Sequence, residues 1–357
     1  MKPALLERLR CPLCGGRVRL EGGDSQVDEI ESGELTCESC SGHYPIRRFV
    51  PRLVPSSNYS RSWGKLWLET GHLLRDSFTG VPFHENVLHG LFREDPGADD
   101  GRSPFGFAWP RDLSGQRVLE VGTGTGNLTE HLVRTGAEIV SVDMSEAIDT
   151  LPTELLRQPN LNVVQADINT PILEPESFDR IWMFQVLQHT PSPPDTLRGL
   201  KGMLKSGGEI AFTSYGGERF RAWYYPFTKR LPDRLAWRLI AFLVPRLVPL
   251  KYRLMKRRIP VVSSLLVKLL APIDPRDIYF QTLEGEADRY IHGAVWNRTG
   301  DKDLLMKYIV INTFDRITPD YTNSATHETV ERWLLDVAGF SSAETWGRSG
   351  VRARAVR

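Results

Sequence analysis

Hydrophobic and polar positions alternate most regularly in the middle of the chain, between residues 114 and 215. Short runs of β-branched and aliphatic residues alternate there with polar segments of helical character. This alternation is typical of a doubly wound parallel sheet, which binds its ligands at the carboxyl ends of the strands. The predicted strands span residues 118–121, 139–142, 161–165, 178–184 and 204–210.

Helices are predicted between these strands and again near the carboxyl terminus. The central ones cover residues 127–135, 145–157 and 193–204, and prolines at the start of the last one fix where it begins. A further helix is predicted at 325–338, with Gly339 just after its end. Two β-like runs at 343–346 and 351–356 follow and complete seven strands, the last of them antiparallel. The predicted fold class is therefore α/β, with a seven-stranded doubly wound sheet.

A glycine-rich turn follows the first central strand, with glycines at Gly122, Gly124 and Gly126. Glycine suits this place because the turn takes positive φ and because a ligand must approach bare backbone. The helix N-terminus behind the turn presents free N–H groups. A turn of this kind is weak support for any one function, because several nucleotide-binding folds contain it. A dinucleotide fingerprint would place its third glycine at Asn127, which is not a glycine here.

With Glu120 before it, the turn reads Glu-x-Gly-x-Gly-x-Gly, and the chain resembles the class I S-adenosylmethionine-dependent methyltransferases over roughly residues 115–212. The resemblance implies an S-adenosylmethionine site. Asp143 stands where the family's acid binds the ribose hydroxyls, and Asp167 where an acid holds the adenine amine. Either acid alone could equally be a solvated loop residue. The cofactor-binding residues that the resemblance implies are Glu120, Gly122, Gly124, Gly126, Asp143, Met144, Asp167, Ile168 and Phe184.

The four cysteines form two pairs near the amino terminus, with 22 residues between the pairs. Two Cys-x-x-Cys pairs at this separation are typical of a closed, tetrahedral zinc site with a structural role. Two disulfides or a redox pair are the alternatives. Together with the residues that follow, the pairs resemble the zinc ribbon in the activator subunit of tRNA and translation-factor methyltransferases, and similar ribbons begin bacterial rRNA guanine methyltransferases. We expect a ribbon over residues 1–55 with ligands Cys11, Cys14, Cys37 and Cys40.

Residues 56–113 are predicted to connect the ribbon to the sheet. Tyr59, Trp63 and Trp67 recur at four-residue spacing, which places them on one face of a helix. This face either packs the ribbon against the sheet or covers the cofactor.

Composition adds an expectation about location. The chain of 357 residues is 41% hydrophobic and carries 45 basic and 44 acidic residues, as a globular protein does. Neither a signal-peptide core nor a run of about 18 apolar residues is present in the sequence. We therefore expect a cytoplasmic protein with reduced thiols, which peripheral contact could bring to a membrane.

A strongly basic insertion is predicted at residues 216–310. Residues 219–270 carry thirteen Lys or Arg residues and one acid, so this stretch is +12 while the remainder of the chain sums to −11. Prolines at 232, 245, 249 and 260 are expected to break it into short helices. The insertion is interpreted as a helical lid on the substrate side. Contact with an anionic membrane through residues 219–270 and contact with a nucleic-acid backbone are the alternatives.

Residues 311–357 are expected to complete the sheet, and residues 315–321 resemble a segment of bacterial small-molecule and glycan methyltransferases. His189 follows the fourth strand, where it could accept a proton or orient its loop through a backbone hydrogen bond. The other catalytic candidates are Asp315 and Tyr321. Asp320 and Tyr215 are further candidates, since their segments are also expected to border the substrate pocket.

The expected activity is O-methylation of a small molecule, sugar or glycan, which could be lipid-linked. RNA base methylation and a non-catalytic cofactor-binding scaffold are the alternatives. The sequence indicates no oligomeric state.

Overall fold

The structure is a computed structural model of the chain. Its described residues belong to two units: Met1–Arg75, His84–Phe220 and Tyr321–Arg357 form the first, and Asp76–Phe83 and Arg221–Asp320 form the second. The structure describes residues 1–21, 28–54, 58–60, 67–68, 70–89, 107–216, 231–256, 262–270, 272–274, 277–284, 291–347 and 350–357.

A small antiparallel sheet of four strands opens the first unit, in the order β1-β2-β3-β4. Leu35 and Ile46, on neighbouring strands of this sheet, are almost fully buried and give it its own apolar layer. The strands are β1 (Val18–Glu21), β2 (Gly33–Cys37), β3 (His43–Arg47) and β4 (Val50–Pro51).

The central sheet has seven strands in the order β10-β11-β9-β8-β5-β6-β7, which confirms the predicted fold class. The five central strands are parallel, and β11 lies antiparallel between β9 and β10. Their near-continuous apolar runs are explained by burial on both faces of the sheet. The strands are β5 (Arg117–Val121), β6 (Glu138–Asp143), β7 (Leu161–Gln165), β8 (Phe178–Met183), β9 (Leu204–Tyr215), β10 (Ser342–Trp346) and β11 (Gly350–Val356).

Most α-helices of the described residues are short, and the two longest belong to the second unit. Where they belong to the parallel sheet, they follow the strands in the alternation that the sequence predicted. They are α1 (Asp76–Thr79), α2 (Phe83–His89), α3 (Thr129–Leu132), α4 (Thr153–Leu156), α5 (Pro193–Met203), α6 (Asp233–Lys256), α7 (Val262–Leu269), α8 (Ile278–Leu283), α9 (Ile291–Thr299), α10 (Lys302–Ile317) and α11 (His327–Arg332).

Three of the predicted helices differ from the observed ones. The one predicted at 325–338 is α11 followed by a π-helical turn, Trp333–Val337. The helix predicted at 145–157 is a 3-10 turn, Glu146–Thr150, followed by α4. Leu151 between them has extended backbone because the next residue, Pro152, disfavours the helical conformation before it. The helix predicted at 127–135 begins only at Thr129 and ends as a 3-10 turn.

The second unit contains the long helix α6, which packs against α10. The prediction that Pro245 and Pro249 break this region into short helices was wrong, since both lie inside the 24-residue α6. Each proline leaves the carbonyl four residues earlier without its usual donor. Those carbonyls belong to Ala241 and Pro245, both on exposed residues, so water can satisfy them. Within the described residues, no helix is long and apolar enough to cross a membrane.

The predicted boundary between insertion and sheet at residue 310 falls inside α10, and the second unit continues to Asp320. The ring of Trp237 in α6 meets that of Phe314 in α10 edge to face, with centroids 5.4 Å apart. The apolar core of this unit therefore uses residues that the sequence alone assigned to the final segment of the sheet.

Candidate cofactor and substrate site

The glycine turn after β5 has the positive φ angles that its sequence predicts: +89° at Gly122, +52° at Gly124 and +85° at Gly126. A Cβ atom on Gly122 would lie 2.1 Å from Val186 Cγ2, and one on Gly126 would lie 2.7 Å from Leu151 Cδ2. A Cβ atom on Gly124 would meet nothing within 4 Å. Two of the glycines are thus required by packing, and Gly124 is the one that leaves backbone open for a ligand.

Asp143 ends β6 beside this turn, as predicted. Its Oδ2 accepts a hydrogen bond from the Gly124 N–H at 2.7 Å, and its Oδ1 accepts one from the Ser145 N–H at 2.7 Å. Burial raises the pKa of the Asp143 carboxyl, while the bonds from Ser145 and Gly124 oppose that shift. Asp143 therefore holds the turn in shape, and each oxygen keeps a second lone pair for a donor such as a hydroxyl group.

Asp167 follows β7 at the same edge of the sheet. Tyr59 donates its hydroxyl to Asp167 Oδ1 at 3.2 Å, and the backbone and side chain of Asn169 donate to the same oxygen at 2.9 Å each. Within the described chain, these donors share Oδ1 and leave Oδ2 for an amine. Tyr59 thus lies against the proposed adenine acid, whereas Trp63 lies outside the described residues.

Glu120 occupies a different environment, since only 1% of the residue is exposed. Its Oε2 accepts hydrogen bonds from Ser141 Oγ at 2.5 Å and Thr129 Oγ1 at 2.7 Å. Among the described residues, Oε1 has no hydrogen-bond partner. Burial raises the pKa of Glu120 to about 7, and the negative charge of Asp143 raises it further. The hydrogen bonds from Ser141 and Thr129 lower the pKa and so oppose this shift. Glu120 ties β5 to β6 and to the start of α3 from beneath the turn.

The remaining predicted cofactor residues also follow the strand ends. Met144 and Ile168 are each 9% exposed, directly after Asp143 and Asp167. Phe184 follows β8, and its ring lies parallel to that of Trp182 with centroids 6.4 Å apart. The ends of β6, β7 and β8 therefore deliver apolar side chains at the same edge of the sheet as the polar ones.

A cavity of about 560 Å³ adjoins Met144 and Asp167. Its other wall comes from the amino-terminal sheet and the residues just after it. A position of Tyr59 beside the cofactor was one of the two predicted alternatives, whereas no local pattern predicted the four-stranded sheet there. The lining residues include Leu13, Tyr44, Pro45, Arg52, Leu53, Val54, Asn58, Tyr59, Met144 and Asp167.

Three of the predicted catalytic candidates, His189, Tyr321 and Tyr215, lie together in the first unit. His189 donates Nδ1–H to the Tyr321 carbonyl at 2.9 Å, because a carbonyl can only accept. The ring of His189 meets Tyr215 edge to face, with centroids 5.5 Å apart, and Tyr321 meets Tyr59 in the same way at 5.5 Å. Burial lowers the pKa of His189 to about 4, and the bond to Tyr321 opposes that shift. The neutral imidazole therefore carries its lone pair on Nε2.

Asp315 and Asp320 belong to the second unit, with Asp315 inside α10. The first unit by itself therefore holds His189, Tyr215 and Tyr321 but neither of these acids. A catalytic role for Asp315 stays a prediction.

The four cysteines come together at one point of the amino-terminal sheet. Their sulfur atoms all lie within 4.8 Å of one another, with Cys11–Cys40 and Cys14–Cys37 Sγ distances of 3.5 Å. All four are free thiols, and 3.5 Å is far longer than a disulfide bond of about 2.05 Å. Four thiolates at these separations fit Zn²⁺, which binds sulfur at about 2.3 Å in tetrahedral sites. Neither predicted alternative, disulfides nor a redox pair joined as a disulfide, is formed.

The amino-terminal sheet docks directly on the edge strand β7, a contact that sequence reasoning missed. Leu53, just after β4, donates its N–H to the Gln165 carbonyl at 2.7 Å, and Arg52 forms a parallel bridge with Gln165. Arg52 also reaches Asp149 Oδ1 at 2.5 Å and Gln165 Oε1 at 3.1 Å. At the other end of the contact, Arg8 pairs with Glu138. An isolated bridge and these side-chain contacts therefore join the end of the four-stranded sheet to the edge of the central sheet.

Comparisons with known proteins agree with both parts of this architecture. Residues 119–212 match the family described as Methyltransferase domain, and residues 2–48 match the family described as Trm112p-like protein. The chain thus carries a methyltransferase domain preceded by a Trm112p-like domain.

Similar curated proteins include ubiquinone biosynthesis O-methyltransferases. The one from Coxiella burnetii is 32% identical over 115 residues, which are 32% of this chain and 49% of that protein. The one from Pseudomonas fluorescens strain Pf0-1 is 32% identical over 106 residues, which are 29% of this chain and 46% of that protein. The chain spans about half the length of these curated relatives.

Solved structures with some likeness include the CurJ carbon methyltransferase, with a TM-score of 0.36 and 14% identity over 68% of this chain and 48% of that one. A complex that contains the Haloferax volcanii Trm112 methyltransferase activator gives a TM-score of 0.29 and 22% identity over 32% of this chain and 53% of that one.

The residues of the site fit S-adenosylmethionine. Gly124 offers open backbone, the Asp143 and Asp167 carboxylates keep lone pairs at the same sheet edge, and Met144 and Ile168 stand beside them. This is a combination of donors, acceptors and apolar surface that a nucleoside can use.

Proposed function

We propose that this protein is an S-adenosylmethionine-dependent methyltransferase that acts on a hydroxyl oxygen of a small molecule or sugar. The observation that carries the proposal is the arrangement at the carboxyl edge of the sheet. There, the open Gly124 and the carboxylates of Asp143 and Asp167 follow three adjacent strands inside the segment that matches a methyltransferase domain.

When bound, S-adenosylmethionine supplies a methyl group on a positively charged sulfur. The chain's own residues then have to hold the acceptor in line, because alignment supplies much of the acceleration in such a displacement. Asp143 and Asp167 would bind the nucleoside at its ribose and adenine ends. Tyr59 supports Asp167 by its hydrogen bond and covers that end of the site.

A hydroxyl acceptor must also lose its proton, and His189 is the residue we propose for that task. It is neutral near pH 7 because burial lowers its pKa to about 4. Its Nδ1–H is held by the Tyr321 carbonyl, so Nε2 is the nitrogen that can accept a proton. Tyr215 and Tyr321 form apolar and aromatic surroundings in which a ring-shaped acceptor can lie.

The choice of oxygen as the acceptor atom is supported by the curated relatives, which are O-methyltransferases by name. The Trm112p-like domain supports a second candidate, methylation of an RNA base, because the ribbon resembles that of a tRNA methyltransferase activator. We favour the hydroxyl acceptor, since a neutral histidine beside the site suits removal of a hydroxyl proton.

The test is methyl transfer from S-adenosylmethionine with a radiolabelled methyl group, offered to three acceptor sets. These are hydroxylated aromatic compounds, methyl glycosides and total transfer RNA. Labelled ether products from either of the first two sets would support the proposal. Exclusive labelling of RNA bases would replace it with the second candidate, and calorimetry without S-adenosylmethionine binding would overturn both.

A further inference from the structure

The helix α6 of the second unit presents large apolar side chains to solvent along one face. Leu235, Leu239, Phe242 and Leu250 are 45%, 39%, 55% and 45% exposed. Their spacing of four, three and eight residues places them on a single stripe of the helix. We call this stripe, together with its arginines, the α6 outer face; it consists of Leu235, Arg238, Leu239, Phe242, Arg246, Leu250 and Arg253.

The opposite side of α6 already supplies the core of the second unit. Ala236, Ile240, Val244 and Val248 are at most 5% exposed and recur at the same four-residue spacing. Within the described residues, the α6 outer face is therefore a second apolar surface, which remains largely exposed to solvent.

Charge distinguishes the outer face from an ordinary apolar patch. Residues 234–273 contain nine Lys or Arg residues and no Asp or Glu. Arg238, Arg246 and Arg253 are exposed on the stripe itself. The Arg246 guanidinium lies 3.8 Å from the centroid of the Phe242 ring, so a cation and an aromatic ring are in direct contact on this face.

The neighbouring helix α7 continues the same character. It packs against α6 and exposes Leu265, Leu266 and Leu269 at 63%, 38% and 56%. Lys268 of α7 is exposed as well, and the helix carries no acid.

We propose that the α6 outer face lies in the interface of an anionic lipid membrane. Leucine and phenylalanine enter the boundary between headgroups and acyl chains, while arginines on the same helix bind the lipid phosphates. An RNA partner fits less well, because single-stranded nucleic acid is bound by aromatic rings that stack on bases, and this face has mainly leucines. The inference concerns the second unit only and holds whether or not the proposed reaction is correct.

The experiment is co-sedimentation of the full chain with vesicles of phosphatidylglycerol and phosphatidylcholine, compared with phosphatidylcholine alone. We expect binding to the anionic vesicles that weakens as salt is raised from low to physiological concentration. The triple variant Arg238→Gln, Arg246→Gln, Arg253→Gln should bind them about 100-fold more weakly, since each cation near such a surface contributes about fivefold.

The matched control changes three exposed cations elsewhere, Lys302→Gln, Lys307→Gln and Arg332→Gln, and alters the net charge equally. It should keep most of the affinity. A second variant, Leu239→Gln with Phe242→Gln, should also bind the anionic vesicles more weakly than the parent protein. This loss should persist at high salt, because the variant removes the apolar contribution and not the electrostatic one.

Equal affinity of the two triple variants would overturn the proposal, since attraction would then follow net charge alone. So would the absence of binding to anionic vesicles. A concentration-dependent dimer that the variant Leu239→Gln with Phe242→Gln abolishes, seen by light scattering without vesicle binding, would assign the face to a second copy instead. Salt-sensitive RNA binding that the arginine variant abolishes, again without vesicle binding, would assign it to nucleic acid. Helix content by circular dichroism and the midpoint of thermal unfolding show in each case whether a variant is folded.

Discussion

At the residue scale, His189 combines a fixed tautomer with a low pKa, and both follow from burial beside Tyr321. If His189 accepts the hydroxyl proton, His189→Gln should lower kcat about 10²–10⁴-fold with little change in the affinity for S-adenosylmethionine. Because its pKa is about 4, the acid limb of the rate profile should lie near pH 4 and not near 6.5. Initial rates of the parent protein and of His189→Gln between pH 4 and 8 measure the loss of kcat and the position of the acid limb.

The control for this prediction is Asn323→Ala. Asn323 donates its backbone N–H to the Gln188 carbonyl at 2.7 Å and its side chain to the Thr190 carbonyl at 2.8 Å, so it anchors the same loop. A merely structural role for His189 would give both variants the same moderate loss of rate.

Glu120 leads to a prediction about stability. Its pKa in the folded protein is about 7, above the ordinary value of 4.5, so the folded protein holds a proton that the unfolded chain releases between these pH values. The free energy of unfolding should therefore fall as the pH rises through this range. Glu120→Gln has no such proton to lose and should be more stable than the parent protein above pH 7, by about 1–3 kcal/mol.

Urea denaturation at pH 5, 7 and 8.5 tests this, with the exposed Glu146→Gln as the control. An unchanged pH profile in Glu120→Gln would show that the carboxyl of Glu120 does not gain a proton on folding.

At the element scale, the contact between the amino-terminal sheet and β7 reaches the cofactor loop. Arg52 binds the Gln165 side chain, and the Gln165 amide in turn donates to the Met144 carbonyl at 3.2 Å and the Ser145 carbonyl at 3.3 Å. This chain of bonds holds the residues that follow Asp143. The ribbon is thus positioned to support the cofactor site from the edge of the sheet.

Arg52→Ala should therefore weaken S-adenosylmethionine binding about 2–10-fold, because the loss of one hydrogen bond, about 0.5–1.5 kcal/mol, acts through Gln165 on the residues after Asp143. Arg8→Ala is the matched control, because Arg8, which precedes β1, joins the amino-terminal segment to the central sheet through Glu138, at the start of β6 and away from Asp143. Calorimetry should show near-normal affinity for Arg8→Ala. Equal losses in the two variants would mean that docking of the ribbon in general, and not Arg52, is what matters.

The zinc site is coupled to the same contact. Cys11 and Cys37 are buried in the core cluster that includes β7 and β8 residues such as Val164 and Phe178. Cys37→Ser should leave the purified protein without stoichiometric zinc and should lower the midpoint of thermal unfolding. Elemental analysis and calorimetric scans measure these effects. The same variant should lose affinity for S-adenosylmethionine to at least the degree of Arg52→Ala, because the ribbon carries Arg52.

At the scale of the whole molecule, most of the second unit is one segment of the chain, residues 221–320, which lies between β9 and α11 of the first unit in the sequence. Gly216, after β9, forms a parallel bridge with Ala325 before α11, so the chain leaves and re-enters the first unit at neighbouring points. We predict that replacing residues 221–320 by a short Gly-Ser linker preserves S-adenosylmethionine binding within about threefold and abolishes methyl transfer, as the lid interpretation requires. Calorimetry and the radiolabel assay measure the two effects. Retained transfer to the full-length protein's acceptor would remove the lid interpretation.

The sequence by itself determined the sheet, the glycine turn and the zinc ligands, because these depend on local rules. The apolar runs of the strands reflect burial on both faces of the sheet. Gly122 and Gly126 occupy turn positions with positive φ, and the cysteine pairs have the spacing of metal ligands. Asp143 and Asp167 could be placed at one edge because parallel strands end on the same side.

Only the tertiary structure decided which distant segments meet. The docking of Arg52 on Gln165 joins residues 113 positions apart, and no local pattern records that edge strands will pair. The position of Asp315 also depends on tertiary contacts. It lies in α10, and the preceding residue, Phe314, packs against Trp237 in the second unit. The prediction that prolines end the helix in α6 was wrong for a related reason. A proline can stay inside a helix when solvent reaches the carbonyl that it leaves without a donor, and tertiary packing decides whether that carbonyl is exposed.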